Sequence, residues 1–134
     1  MEVVDSSVII NAALGHDRDS MDECRDAVVR SRHAIAHTLA ESYSALTRSP
    51  LPFRLSPAHA WRLLDEAFPL APLTLSGDGY RRVLRLVSQQ GIVGGAIYDC
   101  LIGQTAVEHD ATLVSRDRRA MSHYALVGAD FTLI

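Results

Sequence analysis

Four carboxylates stand where a folded chain could use them together. Asp5 follows Met1-Glu2-Val3-Val4 and precedes Ser6-Ser7 and an apolar run. Glu41 closes His37-Thr38-Leu39-Ala40-Glu41. Asp99 follows the glycine-bounded stretch Gly91-Ile92-Val93-Gly94-Gly95, and Asp117 follows Thr112-Leu113-Val114-Ser115. Taken singly, each has an ordinary explanation. Asp5 and Asp117 could cap helices, Asp99 could offset a helix dipole, and Thr38 to Glu41 has the spacing of a capping box. Taken together, they change the chemistry. Four carboxylates within a few ångströms repel one another, and some would have to take up protons at neutral pH. A divalent cation removes that conflict, and oxygen donors with few histidines suit Mg²⁺ or Mn²⁺ better than zinc. Such an ion lowers the pKa of water, places it in line with a phosphodiester and stabilises the leaving oxygen. Ser6 and Ser115, beside two of the acids, read equally as supporting hydroxyls for such a site and as helix caps.

The elements that must position these acids can be read in order. Residues 1–5 read as a strand and Ser6 to Leu14 as a helix, with a turn from Gly15 to Asp19. Ser20 stands three before Glu23, a capping-box spacing that opens a helix to about Arg32. His33 to His37 reads as a strand, and Thr38 opens a helix to about Arg48 that Pro50 and Pro52 stop. Ser56-Pro57 begins a helix with a stripe of Trp61, Leu64 and Phe68, ended by Pro69. Leu70 to Leu75 is short and extended. Ser76 caps a helix to about Gln90 that turns Tyr80, Val83, Leu84 and Val87 inward. A helix from Ala96 to His109, a strand from Thr112 to Ser115, a short helical segment from Asp117 to about Tyr124 and a strand from Asp130 to Ile134 complete the chain. This alternation predicts an α/β fold: a central parallel sheet of about four or five strands flanked by helices, with a helix-rich middle section. In such sheets, helix N-termini emerge at the carboxyl edge, where sites gather, so Asp5, Glu41 and Asp117 should share one region. Asp99 joins them on the glycine loop alone.

Composition narrows the function classes. The 134 residues read as one domain, 48% apolar and 22% charged, in the range of globular rather than disordered chains. A net charge of −3 gives no general attraction to nucleic acid, so such a role needs a local basic patch. All 13 basic residues are arginine. Arg116, Arg118 and Arg119 flank Asp117 and read alike as RNA-phosphate contacts and as a solvated turn. Arg81, Arg82 and Arg85 read as a solvated helix face. Trp61 and Phe68 read as core or dimer contacts. Surplus apolar stripes in the middle section mark where a dimer or partner surface is to be sought. Cys24 and Cys100 read as free thiols in a reducing cytosol. No signal peptide is expected, and no apolar run approaches the roughly 20 residues of a membrane span. His33 and His37 have a metal-ligand spacing on a helix, but in a strand they do not make a zinc site. No GxSxG or GxxxxGK[ST] motif is present. A nucleophilic-aspartate phosphatase would need a second acid where Ser7 stands.

With these residues in place, the chain resembles a PIN domain, and within that family the VapC toxins of bacterial toxin–antitoxin pairs. Val3-Val4-Asp5-Ser6-Ser7 resembles the family's opening motif, and His37-Thr38-Leu39-Ala40-Glu41 its second. Gly95-Ala96-Ile97-Tyr98-Asp99-Cys100-Leu101-Ile102 resembles the third, and Leu113-Val114-Ser115-Arg116-Asp117-Arg118-Arg119 the fourth. The motifs span nearly the full chain. The resemblance implies a PIN-like parallel-sheet fold and a Mg²⁺- or Mn²⁺-dependent ribonuclease acting on tRNA or rRNA in the cytoplasm. It also implies a homodimer inhibited by a small cognate VapB-like antitoxin. It carries Asp5, Glu41, Asp99 and Asp117 over as metal-binding, catalytic acids, with Ser6 and Ser115 in support. Cys100 and Gly103 stand where alanine is more usual, and Ser115 where threonine is common. Gly103 inside a helix costs up to about 1 kcal/mol relative to alanine and marks close packing. Two other readings remain: a catalytically inactive PIN-fold module binding RNA or protein, and a PIN nuclease of RNA processing or DNA repair.

Overall fold

The short apolar run at the start forms β1 (Glu2–Val4), and Asp5 ends it by capping α1 (Ser6–Leu14). A computed structural model describes residues 1–134. Helix α1 stops at Gly15, whose φ of 65° is the left-handed conformation a glycine reaches without strain. Asn11, buried in α1, fixes the turn that follows: its amide donates to the Asp17 carbonyl at 3.0 Å and accepts from the Asp17 N–H at 2.8 Å. A 3₁₀ turn (Arg18–Ser20) then leads into α2 (Met21–Arg30). The expected capping box does not form here. The Ser20 hydroxyl bonds the Asp17 carboxylate at 2.7 Å and makes no capping bond to α2.

The largest departure from expectation lies at residues 33–38. No strand covers His33 to His37. Instead Ile35 makes a single parallel bridge to Leu73, and α3 (Ala36–Arg48) begins directly after it. The helix thus starts two residues before Thr38, so Thr38 is not its cap and the Thr38–Glu41 capping box is absent. Leu70 to Leu75 likewise contributes only the Leu73 bridge. Leu73 donates to the Ala34 carbonyl and accepts from the Ala36 N–H, and because Ala36 already begins α3 the pairing goes no further. The sheet therefore has three strands and not four or five.

Helices α4 (Pro57–Ala67) and α5 (Gly77–Gln89) start as expected, with Ser56 and Ser76 accepting from the N–H groups of His59 and Gly79. Of the core and contact roles expected on α4, Phe68 takes the core, and Trp61, 64% exposed, keeps only the contact role open. Tyr80 and Leu84 of α5 also face solvent; only Val83 and Val87 turn inward. Helix α6 (Ala96–Glu108) follows the glycine loop and is buried on nearly every side. After β2 (Thr112–Ser115) comes a turn containing Asp117. Helix α7 (Met121–Leu126) begins four residues later than the expected segment, and β3 (Phe131–Leu133) closes the chain.

The strands run parallel in the order β1-β2-β3, with Val3 opposite Leu113 and Leu113 opposite Phe131. Alternation along the strands splits the core in two. Val4 and Val114 join Val8, Ile9, Cys24, Leu46, Leu64 and Phe68, so α1 to α4 cover one face. Val3 and Leu113 join Ile102, Ala106 and Tyr124, so α6 and α7 cover the other. Gly103 is the close contact between those two helices: a Cβ there would stand 2.7 Å from the Val127 side chain and 3.3 Å from the Tyr124 ring. Cys24 and Cys100 are buried free thiols. No helix is long and apolar enough to cross a membrane.

Candidate active site

The carboxyl ends of β1 and β2 lie side by side because the strands are paired in register. That alone brings Asp5 and Ser115 together. The Asp5 carboxylate, only 3% exposed, is held at both oxygens. Oδ1 accepts from the Ser7 N–H at 3.0 Å, the Ser7 hydroxyl at 2.5 Å and the Val8 N–H at 3.4 Å. Oδ2 accepts from the Ser115 hydroxyl and from the Tyr124 hydroxyl, the latter at 2.8 Å. Buried carboxylates need such donors, since an unpaired charge in the interior costs several kcal/mol. Asp5 is thus a helix cap after all, but its second oxygen is turned toward other elements.

Those elements bring the remaining acids. The Ser6 hydroxyl donates to Glu41 Oε2 at 3.0 Å, which ties α1 to the first turns of α3. Glu41 Oε1 lies 2.9 Å from Nε2 of His37, one helical turn earlier. His123 precedes Tyr124 on α7, and its Nδ1 lies 3.0 Å from Asp99 Oδ2 on α6. Adjacent residues of α7 therefore hold two different acids. Ser115 connects the fourth: its hydroxyl accepts from the Asp117 N–H at 3.0 Å while donating to Asp5. Ser6, Glu41 and Asp99 line one cleft of about 480 Å³.

The electrostatics follow from this convergence. Burial raises the Asp99 pKa above the usual carboxylate range, the charges of Asp117 and Asp5 add to the rise, and His123 opposes it. Burial also drives the Tyr124 hydroxyl far above its usual range, and the negative charges of Asp5, Asp99 and Glu41 drive it further. Tyr124 thus remains a proton donor to Asp5. Burial and the neighbouring Asp99 charge raise the Cys100 thiol, which keeps it unreactive.

The donor set fits a hard divalent ion in its chemistry, with four carboxylates and two hydroxyls within one region. Its arrangement is not closed. No three His, Cys, Asp or Glu side chains stand as a ready-made metal site. The carboxylates are held within the chain instead, Glu41 by Ser6 and Asp99 by His123.

The arginines flanking Asp117 divide. The Arg116 Nη2 reaches Asp17 Oδ2 at 2.6 Å, which pins it to the turn after α1. Arg118 is exposed, and Arg119 is 95% exposed with its Nε 3.5 Å from Asp117 Oδ1. His33 bonds the Ala71 carbonyl, away from His37, so the two histidines share no ion.

Four site residues escaped the sequence reading. Placing the helix start at Ala36 would have made His37–Glu41 legible as a one-turn pair. Tyr98, which lines the cleft with Asp99 and stacks on His37, was within reach as the neighbour of Asp99. His123 and Tyr124 carry no local signal, because more than 20 residues separate His123 from Asp99 and 119 separate Tyr124 from Asp5.

Known proteins resemble this chain over most of its length. The family model described as "PIN domain" matches residues 3–126. Ribonuclease VapC27 of Mycobacterium tuberculosis is 48% identical over 92 residues, 69% of this chain and just under two thirds, 66%, of that relative. Ribonuclease VapC40 of the same species is 32% identical over 130 residues, covering 97% of this chain and 96% of the relative. Among solved structures, VapBC2 from Rickettsia felis bound to a promoter DNA fragment contains a chain of the same fold. The TM-score is 0.67 at 14% identity, covering 99% of this chain and 98% of that one.

Proposed function

The chain belongs to the PIN-domain family, and from that premise we propose that it is a divalent-metal-dependent endoribonuclease, one nuclease domain over residues 1–134. The proposed context is the cytoplasm, as the toxin of a type II toxin–antitoxin pair. The observation that carries this reading is the meeting of Asp5, Glu41 and Asp99 from three separate chain segments, with Asp117 joined to them through Ser115. The relatives named as ribonucleases support RNA as substrate. tRNA or rRNA is the proposed target.

Asp5, Glu41, Asp99 and Asp117 would hold Mg²⁺ or Mn²⁺. A bound ion of this kind polarises a phosphate oxygen and makes water a stronger acid, the chemistry phosphodiester hydrolysis needs. The chain's own residues prepare the site. Ser115 and Tyr124 fix the direction of Asp5, His123 fixes Asp99, and Ser6 with His37 fixes Glu41. Arg118 is exposed to meet RNA phosphates and Arg119, although beside Asp117, is 95% exposed, whereas Arg116 is committed to Asp17.

A small VapB-like antitoxin and a second copy of this chain are the proposed partners. Two apolar grooves offer surface for them: one of about 700 Å³ between α1, α2 and α4, and one of about 590 Å³ beside Tyr43, Trp61 and Leu70.

The absence of a closed ligand set favours one rival, a PIN-fold module that binds RNA without cleaving it. Cleavage of total RNA separates the two. Wild-type protein should cut RNA with Mg²⁺, stop in EDTA, and lose at least about a hundredfold in rate as Asp5→Ala, the scale of removing one electrostatic group from a site. Cutting that survives both EDTA and Asp5→Ala sinks the metal mechanism. RNA that is bound but never cut supports the rival.

A further inference from the structure

We infer that the stacked pair Tyr98–His37 is a platform for one unpaired RNA base beside the acids, and that Arg48 holds a neighbouring phosphate of the same strand. This rests on the ribonuclease reading and names how its site takes substrate. The rings of His37 and Tyr98 lie 5.1 Å apart at 16°, nearly parallel. His37 covers one face of Tyr98, yet Tyr98 is still 50% exposed, so its open area is the other face and the edge. His37 Nε2 lies 2.9 Å from Glu41 Oε1, so the stacked rings sit directly beside an acid of the site. Tyr98 precedes Asp99 in sequence, and both line the cleft with Glu41.

Helix α3 extends the same cleft. His37, Glu41, Ser44 and Arg48 recur at helical spacing and all line it. Arg48 is the one arginine among the lining residues. It stands two turns beyond Glu41, about 10 Å along the axis, too far for the phosphate at the acids but suited to another on the same strand. The cleft thus brings together the stacked rings of His37 and Tyr98, the acids Glu41 and Asp99 and the cation Arg48, with His37, Glu41 and Arg48 in sequence along α3. Single-stranded nucleic acid is taken up in this way, by base stacking plus backbone charge, whereas a paired base has no free face to offer. The net charge of −3 adds weight, since a chain without general attraction to RNA must place its cations locally.

The test uses a short single-stranded RNA carrying 2-aminopurine, bound in EDTA so that no turnover intervenes. Wild type and Tyr98→Phe should quench the fluorophore. Tyr98→Ala should abolish the quench and weaken binding about tenfold or more. Arg48→Ala should keep the quench, weaken binding and lower the salt slope by about 0.7. Circular dichroism of each variant identifies any that fails to fold, and Tyr98→Phe keeps the ring question decidable. Tyr98→Ala that binds and quenches as wild type overturns the platform. The same proteins assayed with Mg²⁺ separate the two readings: quenching that depends on Tyr98 without any cleavage keeps the platform and sinks the nuclease, while cleavage indifferent to Tyr98 does the reverse.

Discussion

At Asp5, stability and chemistry make opposite demands on one carboxylate. It is nearly fully buried, and its Oδ2 is held by Ser115 and Tyr124. A hydrogen bond to a charged group contributes roughly 1.5–3 kcal/mol, so Tyr124→Phe should lower unfolding free energy by about that much in a urea titration. A loss well below this range would mean that Ser115 and Ser7 suffice. Asp99 carries the opposite sign. Its folded pKa is raised, chiefly by burial, so the folded state prefers the protonated form. The stability linked to that preference is present below the unfolded pKa and is lost as pH rises through the raised folded value. At neutral pH, Asp99 is therefore a burden that Asp99→Asn relieves. In EDTA at pH 7 the variant should melt higher than wild type by on the order of a few degrees, with the gap closing as pH falls through Asp99's raised pKa. A gap that widens in acid would contradict this.

Helix α7 shows how an element serves the site without lining the cleft. Gly103 lets α7 approach closely, and α7 presents His123 and Tyr124 to Asp99 and Asp5. Gly103→Ala gains up to about 1 kcal/mol of helix propensity but forces Val127 aside, an overpacking cost of roughly 1–3 kcal/mol. The expected outcome is a net loss of about 1 kcal/mol, with RNA cleavage reduced further than the stability loss explains because both acids lose their holders. Stability and activity measured on the same sample check it. Gly103 also marks what was legible in the sequence: its close packing, the Asp5 cap, the Ser56 and Ser76 caps and β1, α1 and β2 all rest on local patterns. What stayed hidden depends on partners distant in sequence. The segments around Ile35 and Leu73 looked like strands because both are apolar, yet they meet in a single bridge where α3 begins. Tyr80 and Leu84 looked like core because their spacing is helical, but spacing gives a face and not what covers it. The acids of the site were legible because helix starts announce them; the groups that hold Asp5 and Asp99 from α7 were not, because only the packing of α7 brings them in.

Across the whole molecule, the acids come from four places: the end of β1, the second turn of α3, the first turn of α6, and the turn after β2. An ion shared among them would join segments that otherwise meet through core packing, and would offset repulsion that the entire fold now sustains. Binding to the folded state alone then stabilises the domain by mass action, about 2.7 kcal/mol at a hundredfold excess over Kd. For a chain of this size that corresponds to a rise in Tm on the order of 10 °C between EDTA and saturating Mg²⁺. Simple screening is a competing cause, because exposed like charges also relax in salt. NaCl at matched ionic strength should therefore reproduce only a small part of the rise. Asp99→Asn separates the two further. It starts from a higher Tm in EDTA, having lost one buried charge, but should gain little from Mg²⁺, having lost one ligand. A wild type that gains as much from NaCl as from Mg²⁺, or a variant that gains as much from Mg²⁺ as wild type, would show that the acids repel without sharing an ion. The fold would then remain, with its carboxylates held by serine, tyrosine and histidine and no metal chemistry to perform.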